Sequence, residues 1–264
     1  MLNPISSTYL SNAQSTQEKL FQQLSSGSSI NSASDNPSGL SVAVSLSNQA
    51  QGLLQAELNA GNGISLVDTA ASAVGQIGDT LQQMRTLAVQ AGDGSLSAAD
   101  RQTVQDQIGQ LGQQLDQIAG QAQFNGQSLL DGSFSTQVQT GNNPGQTTSL
   151  SIANMSGATL GVANLDVNTA TGSTDALSAI ENALASVSNQ QSQLGAASNG
   201  LTAAQSYASA SADNLLAAKS VITDTDYAAA ASKLGQANVQ SQAAMKALAM
   251  YSNLQKQQIA NLLP

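Results

Sequence analysis

Histidine, cysteine and tryptophan are absent from this 264-residue chain, aromatics make up 3% of it, and only 9% of its residues are charged. Without His or Cys, the common general bases, nucleophiles and transition-metal ligands are missing, so no enzyme, no cofactor and no metal is expected. Without Cys there is no disulfide framework. Residues 1–13 have neither a basic segment nor an apolar core, which argues against a signal peptide. No apolar run approaches the about 18 residues of a membrane span, so no membrane insertion is expected. The chain is expected either to stay in the cytoplasm or to leave the cell without a cleaved signal. Sixteen acids against seven bases give a net charge of −9. This balance disfavours nucleic acid and anionic lipid, both of which need clustered Lys and Arg.

What is present is Ala, Ser, Gln, Asn, Gly and Leu, arranged with a period of seven. Leu46, Leu53, Ala60, Val67, Val74, Leu81 and Ala88 are each seven apart, with Gln49, Ala56, Gly63, Ala70, Ile77, Met84 and Ala91 as companions. The second half repeats the spacing at Ile180, Val187, Leu194, Leu201, Ala208, Leu215 and Ile222. Seven residues are nearly two helical turns, so each series draws one stripe along a long helix. The fold class that follows is mainly α: a long antiparallel coiled-coil rod formed by the two halves. A small β-hairpin region is expected at the middle of the chain. At roughly 25 cal/mol per Å² of buried apolar surface, such small side chains stabilise an isolated chain weakly. Neighbouring chains are expected to supply much of its order.

Leu2, Ile5, Tyr9, Ala13, Leu20 and Leu24 recur at helical intervals and predict a first helix over 2–24. A Ser-, Asn-, Gly- and Pro-rich joint follows over 25–39. The spacing predicts a long helix over about 40–91, roughly 75 Å if unbroken. Its glycines cost about 1 kcal/mol each against alanine, and a break is expected near Gly61–Gly63. Ser97 and Asp100 form a capping-box pattern ahead of a shorter helix striped by Val104, Ile108, Leu111 and Leu115, expected to fold back antiparallel. Over 124–174, Asn125-Gly126 and Asp131-Gly132 are turn dipeptides. Val138, Leu150 and Ile152 sit in two β-prone runs, expected at the tip of the rod. Helices over 175–222 and 227–263 complete the chain. The halves mirror each other, so the first and last helices are natural partners, poor enough in large apolar groups to fray in a monomer.

Motifs for chemistry are few. Asp224 and Asp226 are the nearest thing to a carboxylate pair, and a helix cap explains Asp226 better than a cation does. Gly61-Asn62-Gly63 does not fit a dinucleotide loop. Asn154-Met155-Ser156 is an isolated sequon. Arg85 and Arg101 read as solvated helix charges.

Several segments in order resemble bacterial flagellin. They are Leu24-Ser25-Ser26-Gly27, Ile30-Asn31-Ser32-Ala33, Asp35-Asn36-Pro37-Ser38-Gly39-Leu40, Met84-Arg85-Thr86-Leu87-Ala88-Val89-Gln90 and Gln123-Phe124-Asn125-Gly126. Leu194-Gly195-Ala196, Ile222-Thr223-Asp224-Thr225-Asp226-Tyr227-Ala228 and Asn261-Leu262-Leu263 follow. The resemblance covers about 1–130 and 175–264. It implies a structural subunit that polymerises into the helical flagellar filament used for swimming. It also implies extracellular localisation and export in an unfolded state by the flagellar type III system without a cleaved signal. The domains it implies are 1–40 and 225–264 for an inner tube, 41–130 and 175–224 for an outer tube, and 131–174 as a short hairpin region. That short middle implies a minimal form with little or no outer domain.

Inter-subunit assembly would then rest on Leu2, Ile5, Tyr9, Leu20, Leu24, Leu248, Tyr251, Leu254, Ile259 and Leu262. Implied partners are further copies of the chain, the flagellar cap and hook-junction proteins, and an export chaperone at 225–264. Gln23, Ser29, Asn199-Gly200 and Pro264 depart from the family pattern, in most cases replacing an arginine. The innate immune flagellin receptor would meet a patch at Gln82, Gln83, Leu87, Gln90 and Gln107, where Gln83 replaces an Arg and Gln107 a Glu, so a weakened contact is implied. The alternatives are a hook–filament junction protein and a non-polymerising coiled-coil stalk protein.

Overall fold

The computed structural model of the chain describes residues 4–260, with side chains described for 8–259. Five helices and four short strands follow one another. They are α1 (Pro4–Ser26), α2 (Pro37–Ala91), α3 (Ala98–Gln121), β1 (Gln123–Phe124), β2 (Gln127–Ser128), β3 (Ser135–Gln139), β4 (Thr147–Ser151), α4 (Ala170–Thr223) and α5 (Tyr227–Ala260). Each pair of strands is an antiparallel hairpin. No described helix is long and apolar enough to cross a membrane.

Four helix starts are set by side-chain caps, as short polar residues require. Asn36 Oδ1 accepts the Gly39 amide at 2.9 Å, with Pro37 in the first turn. Thr169 Oγ1 accepts the Gly172 amide at 3.0 Å, and Asp226 Oδ1 the Ala229 amide at 3.0 Å. Ser97 and Asp100 form the expected capping box, each receiving the other's backbone amide.

Residues 1–50 and 213–264 form one compact unit, and 51–212 a second. In the second unit the heptad stripes are the core. Leu53, Ala60, Val67, Val74, Leu81 and Ala88 are all buried, as are Ala56, Ala70, Ile77, Met84 and Ala91. Ile180, Val187, Leu194, Leu201 and Ala208 on α4 are buried too. The series loosen at their outer members: Leu46, Leu215 and Ile222 are half-buried and Gln49 is exposed. Partners fall on α2 as they rise on α4. Arg85 reaches Glu181, Gly78 faces Val187 and Gly63 faces Leu201, so the two helices run antiparallel. α3 also returns along α2: the Arg101 guanidinium donates to the Ala91 and Asp93 carbonyls, while Ile118 and Gln121 share a groove with Asp68 and Gln76.

Two expectations are corrected. α2 is continuous through Gly61–Gly63. A Cβ at Gly63 would lie 3.1 Å from Leu201 Cδ1 and 3.3 Å from Val138 Cγ2, so this glycine is where other elements come close rather than where the helix ends. The β3–β4 hairpin does not sit at a tip. It lies along α2: Asn59 Nδ2 donates to the Gln139 carbonyl at 3.3 Å, and a Cβ at Gly52 would meet Asn142 Cβ at 2.9 Å. Leu129, Leu130, Phe134, Leu150, Ile152, Met155, Leu160, Val162 and Val167 carry the connection into the shared core. The β1–β2 turn is Asn125-Gly126, with φ of 49° and 78°, as a two-residue hairpin demands.

Candidate assembly surface

The first unit is built around α1 and α5. Leu20 is buried against Ala230 and Ala237, with Leu24 and Leu234 half-buried beside them. Gln17 Nε2 donates to Asn238 Oδ1 at 2.8 Å. Near the far end of α1, Tyr227 Oη would lie 3.2 Å from a Cβ on Gly27. Numbers rising on α1 and falling on α5 make the pair antiparallel. Alanine on α5 permits the close approach, but each contact buries little area.

Most large apolar side chains on these helices are left outside the seam. Tyr9 is 68% exposed and Phe21 61% on α1; Val239 is 67%, Met250 62%, Leu254 58% and Ile259 59% on α5. Met245 and Tyr251 are exposed as well, and Leu248 is half-buried. Among the residues expected to carry assembly, Tyr9, Tyr251, Leu254 and Ile259 are therefore open to a partner. Leu20 and Leu24 are engaged inside the chain. Leu2 and Leu262 lie outside the described residues, as does the Ile5 side chain. Phe21, Val239, Met245 and Met250 were missed because they fall off the helical stripe. Their apolarity on an otherwise polar face was the available signal.

The joint between α1 and α2 is stitched to the link between α4 and α5. The Ser29 amide donates to the Thr223 carbonyl at 2.6 Å and the Thr225 amide to the Gly27 carbonyl at 3.0 Å. Gly27 closes α1 at φ 71°, in the left-handed region that glycine adopts freely. Gln23 Nε2 donates to the backbone carbonyl of Ser29 at 2.9 Å. Lys19 Nζ lies 2.8 Å from Asp35 Oδ1. That ammonium, followed by the Asn31 amide, holds the Asp35 carboxyl at about 2. Asp224 accepts the Ser220 and Thr223 hydroxyls and Asp226 caps α5, so the two carboxylates do separate structural work. No group of His, Cys, Asp or Glu among the described residues could hold a metal ion.

In the second unit, Gln82, Gln83 and Gln90 are exposed on α2 and Gln107 on α3, while Leu87 is half-buried against the core. Arg85 Nη2 lies 3.3 Å from Glu181 Oε1 on the surface. Asn154 of the sequon accepts the Ser156 amide at 2.8 Å.

The bacterial flagellin N-terminal helical region matches residues 1–135, and the bacterial flagellin C-terminal helical region matches 177–263. Flagellin of Bacillus subtilis (strain 168) is 34% identical, over 96% of this chain and 95% of its own length. The flagellar filament 33 kDa core protein of Treponema phagedenis is 35% identical, over 83% of this chain and 82% of its own. Bacillus cereus flagellin, in its crystal structure, superposes with a TM-score of 0.53 at 25% identity, covering 57% of this chain and 88% of that one. Two family regions in order, relatives matched nearly end to end and a helical scaffold that buries the heptads lead to one conclusion: the chain belongs to the bacterial flagellins, the structural subunits of flagellar filaments.

Proposed function

We propose that this filament subunit makes its copy-to-copy contacts through the open apolar faces of α1 and α5. The observation that carries the proposal is the exposure of Tyr9, Phe21, Val239, Met250, Leu254 and Ile259 in the single chain. Burying a large apolar side chain contributes about 1.5–3 kcal/mol. Several per copy, repeated along a polymer, outweigh the weak seam that holds α1 to α5. In this reading 1–40 and 225–264 line the inner tube, 41–130 and 175–224 form the outer tube, and 131–174 is its short surface element. Tyr251, Leu254 and Ile259 carry the C-terminal side of the contact and Tyr9 the N-terminal side.

Export proceeds unfolded through the flagellar type III system. A weak α1–α5 seam supports this, since little has to be undone before passage. The apolar α5 is the segment for an export chaperone to cover until release. The cap and the hook-junction proteins meet the same terminal helices at the two ends of the filament. Relatives matched over most of their length are a flagellin and a filament core protein, which favours the filament over the hook junction.

Purified monomer given filament seeds should elongate into long tubes visible by negative-stain electron microscopy. Phe21→Asp and Met250→Asp should each raise the monomer concentration needed for growth about tenfold or more, at unchanged far-UV circular dichroism. Normal elongation by both variants would sink the proposed surface. Contact with the innate immune receptor is weak in this reading, because Gln83 and Gln107 offer no charge where anchoring charges are needed. A receptor reporter in cultured cells that responds at ordinary flagellin doses would refute that.

A further inference from the structure

The dipeptide Asn-Gly occurs as Asn62-Gly63, Asn125-Gly126 and Asn199-Gly200. With no glycine side chain in the way, the glycine amide nitrogen can attack the carboxamide before it. The three share that local chemistry and differ in what the fold does with it. Asn62 lies inside α2 and Asn199 inside α4, where the helix commits the Gly63 and Gly200 amides to the carbonyls of Asn59 and Ala196, one turn back. Asn125 and Gly126 are both exposed and form the loop closed by the Phe124–Gln127 pair. The Gly126 amide lies outside that pair, and the Asn125 carboxamide has no hydrogen-bond partner among the described residues. Asn125 is also the one non-glycine among the described residues in the left-handed region, at φ 49°, a conformation that an L side chain leaves readily. Strands of two residues each hold it there. The two Asp-Gly pairs, which can cyclise in the same way, are guarded. Asp93 Oδ1 accepts the Ser95 amide at 2.8 Å, and Asp131 Oδ1 accepts the Ser133 hydroxyl at 2.7 Å and amide at 2.9 Å. These bonds hold both carboxyls in the ionised form, a poor target for a nitrogen nucleophile.

We propose that Asn125 is a site of spontaneous deamidation, the one Asn-Gly of the three that the fold leaves open to it, with water as the co-reactant. The Gly126 nitrogen gives its proton to solvent and bonds to Asn125 Cγ. The carboxamide nitrogen leaves as ammonia, and a five-membered succinimide remains. Water then opens the ring at either carbonyl. Opening at Cγ gives aspartate, and opening at the backbone carbonyl gives isoaspartate. The net change is one carboxamide and one water converted to one carboxylate and one ammonium, so either product adds a negative charge. Isoaspartate does more. The Leu129 amide donates to the Ala122 carbonyl at 2.9 Å, and both residues are buried, so the hairpin is fixed at its base. One extra backbone carbon in the loop above that base destroys the turn that matched the two strands.

The test keeps the full chain for days in warm neutral buffer, with and without urea. Peptides spanning each dipeptide are followed by mass spectrometry, and isoaspartate is counted by a methyltransferase specific for it. In the folded chain Asn125 should convert at least about tenfold faster than Asn62 or Asn199, whose helices must open first. In urea the three should converge, since glycine follows each of them. Asn125→Gln should remove most of the isoaspartate formed in the folded chain, because glutamine would have to close a larger ring. Equal conversion of the three in the folded chain overturns the proposal. So does an Asn125 that stays intact when folded yet converts in urea. A lead for Asn125 that persists undiminished in urea would belong to the sequence rather than the fold, and overturns it too.

Discussion

Asp35 gathers more partners than any other carboxylate in the first unit. It takes the Lys19 ammonium at 2.8 Å, the Asn31 and Ser32 amides at 3.1 and 2.9 Å, and the Ser32 hydroxyl at 3.0 Å. All favour the ionised form, and the carboxyl titrates at about 2 rather than 3.8. A carboxyl whose pKa falls on folding stabilises the fold only while it is charged. The contribution is complete above about 3.8 and is lost as pH falls toward about 2. Asp93 and Asp131, lowered chiefly by the Ser95 amide and the Ser133 hydroxyl, act in the same direction. Of the four tyrosines, Tyr9, Tyr227 and Tyr251 lie in the first unit, so tyrosine fluorescence reports largely on it. The urea midpoint read by this signal should drop between about pH 4 and about pH 2, and Asp35→Asn should flatten that drop. An unchanged slope in the variant would remove Asp35 from the account. At this scale the sequence was partly legible. The Ser97–Asp100 and Asp226 caps follow local rules, so they could be read. Lys19 with Asp35 could not, because the fifteen residues of helix and turn between them decide whether those two meet.

Among the elements, α2 and α5 are both long and helical, yet they differ in what holds them. Val67, Val74, Ile77, Leu81 and Met84 are all but inaccessible to water, whereas the buried positions of α5 are Ala230, Ala237 and Ser241. Opening α2 exposes a core, and opening α5 exposes little. Amide hydrogen exchange of the monomer should therefore run at least about a hundredfold slower over 67–88 than over 245–259. Comparable protection would mean that α5 is held by something other than its seam. The heptads made the existence and buried stripes of α2 and α4 legible, because a period of seven is a property of the sequence itself, though not the continuity of α2 through Gly61–Gly63 or the start of α4 at Ala170. The position of the β3–β4 hairpin was not legible. It depends on Gly52 and Gly63 leaving room on α2 for Asn142 and Val138, and both pairs are far apart in sequence. Leu129, Phe134, Met155 and Val162 were missed as core because loops carry no period to announce burial.

For the whole molecule, the net charge of −9 reads from composition as a diffuse acidic surface. The fold instead sorts it, leaving the unit made from both terminal regions neutral and the other acidic. Composition cannot show this, because the neutral unit is assembled from segments more than 160 residues apart. The α1–α5 seam has a consequence of a different kind. Leu20 is covered by Ala230 and Ala237, which lie 210 and 217 residues further along the chain. The seam therefore closes a very long loop. Contacts of such separation are slow to form, because the entropy of closing the loop is lost before the contact repays it.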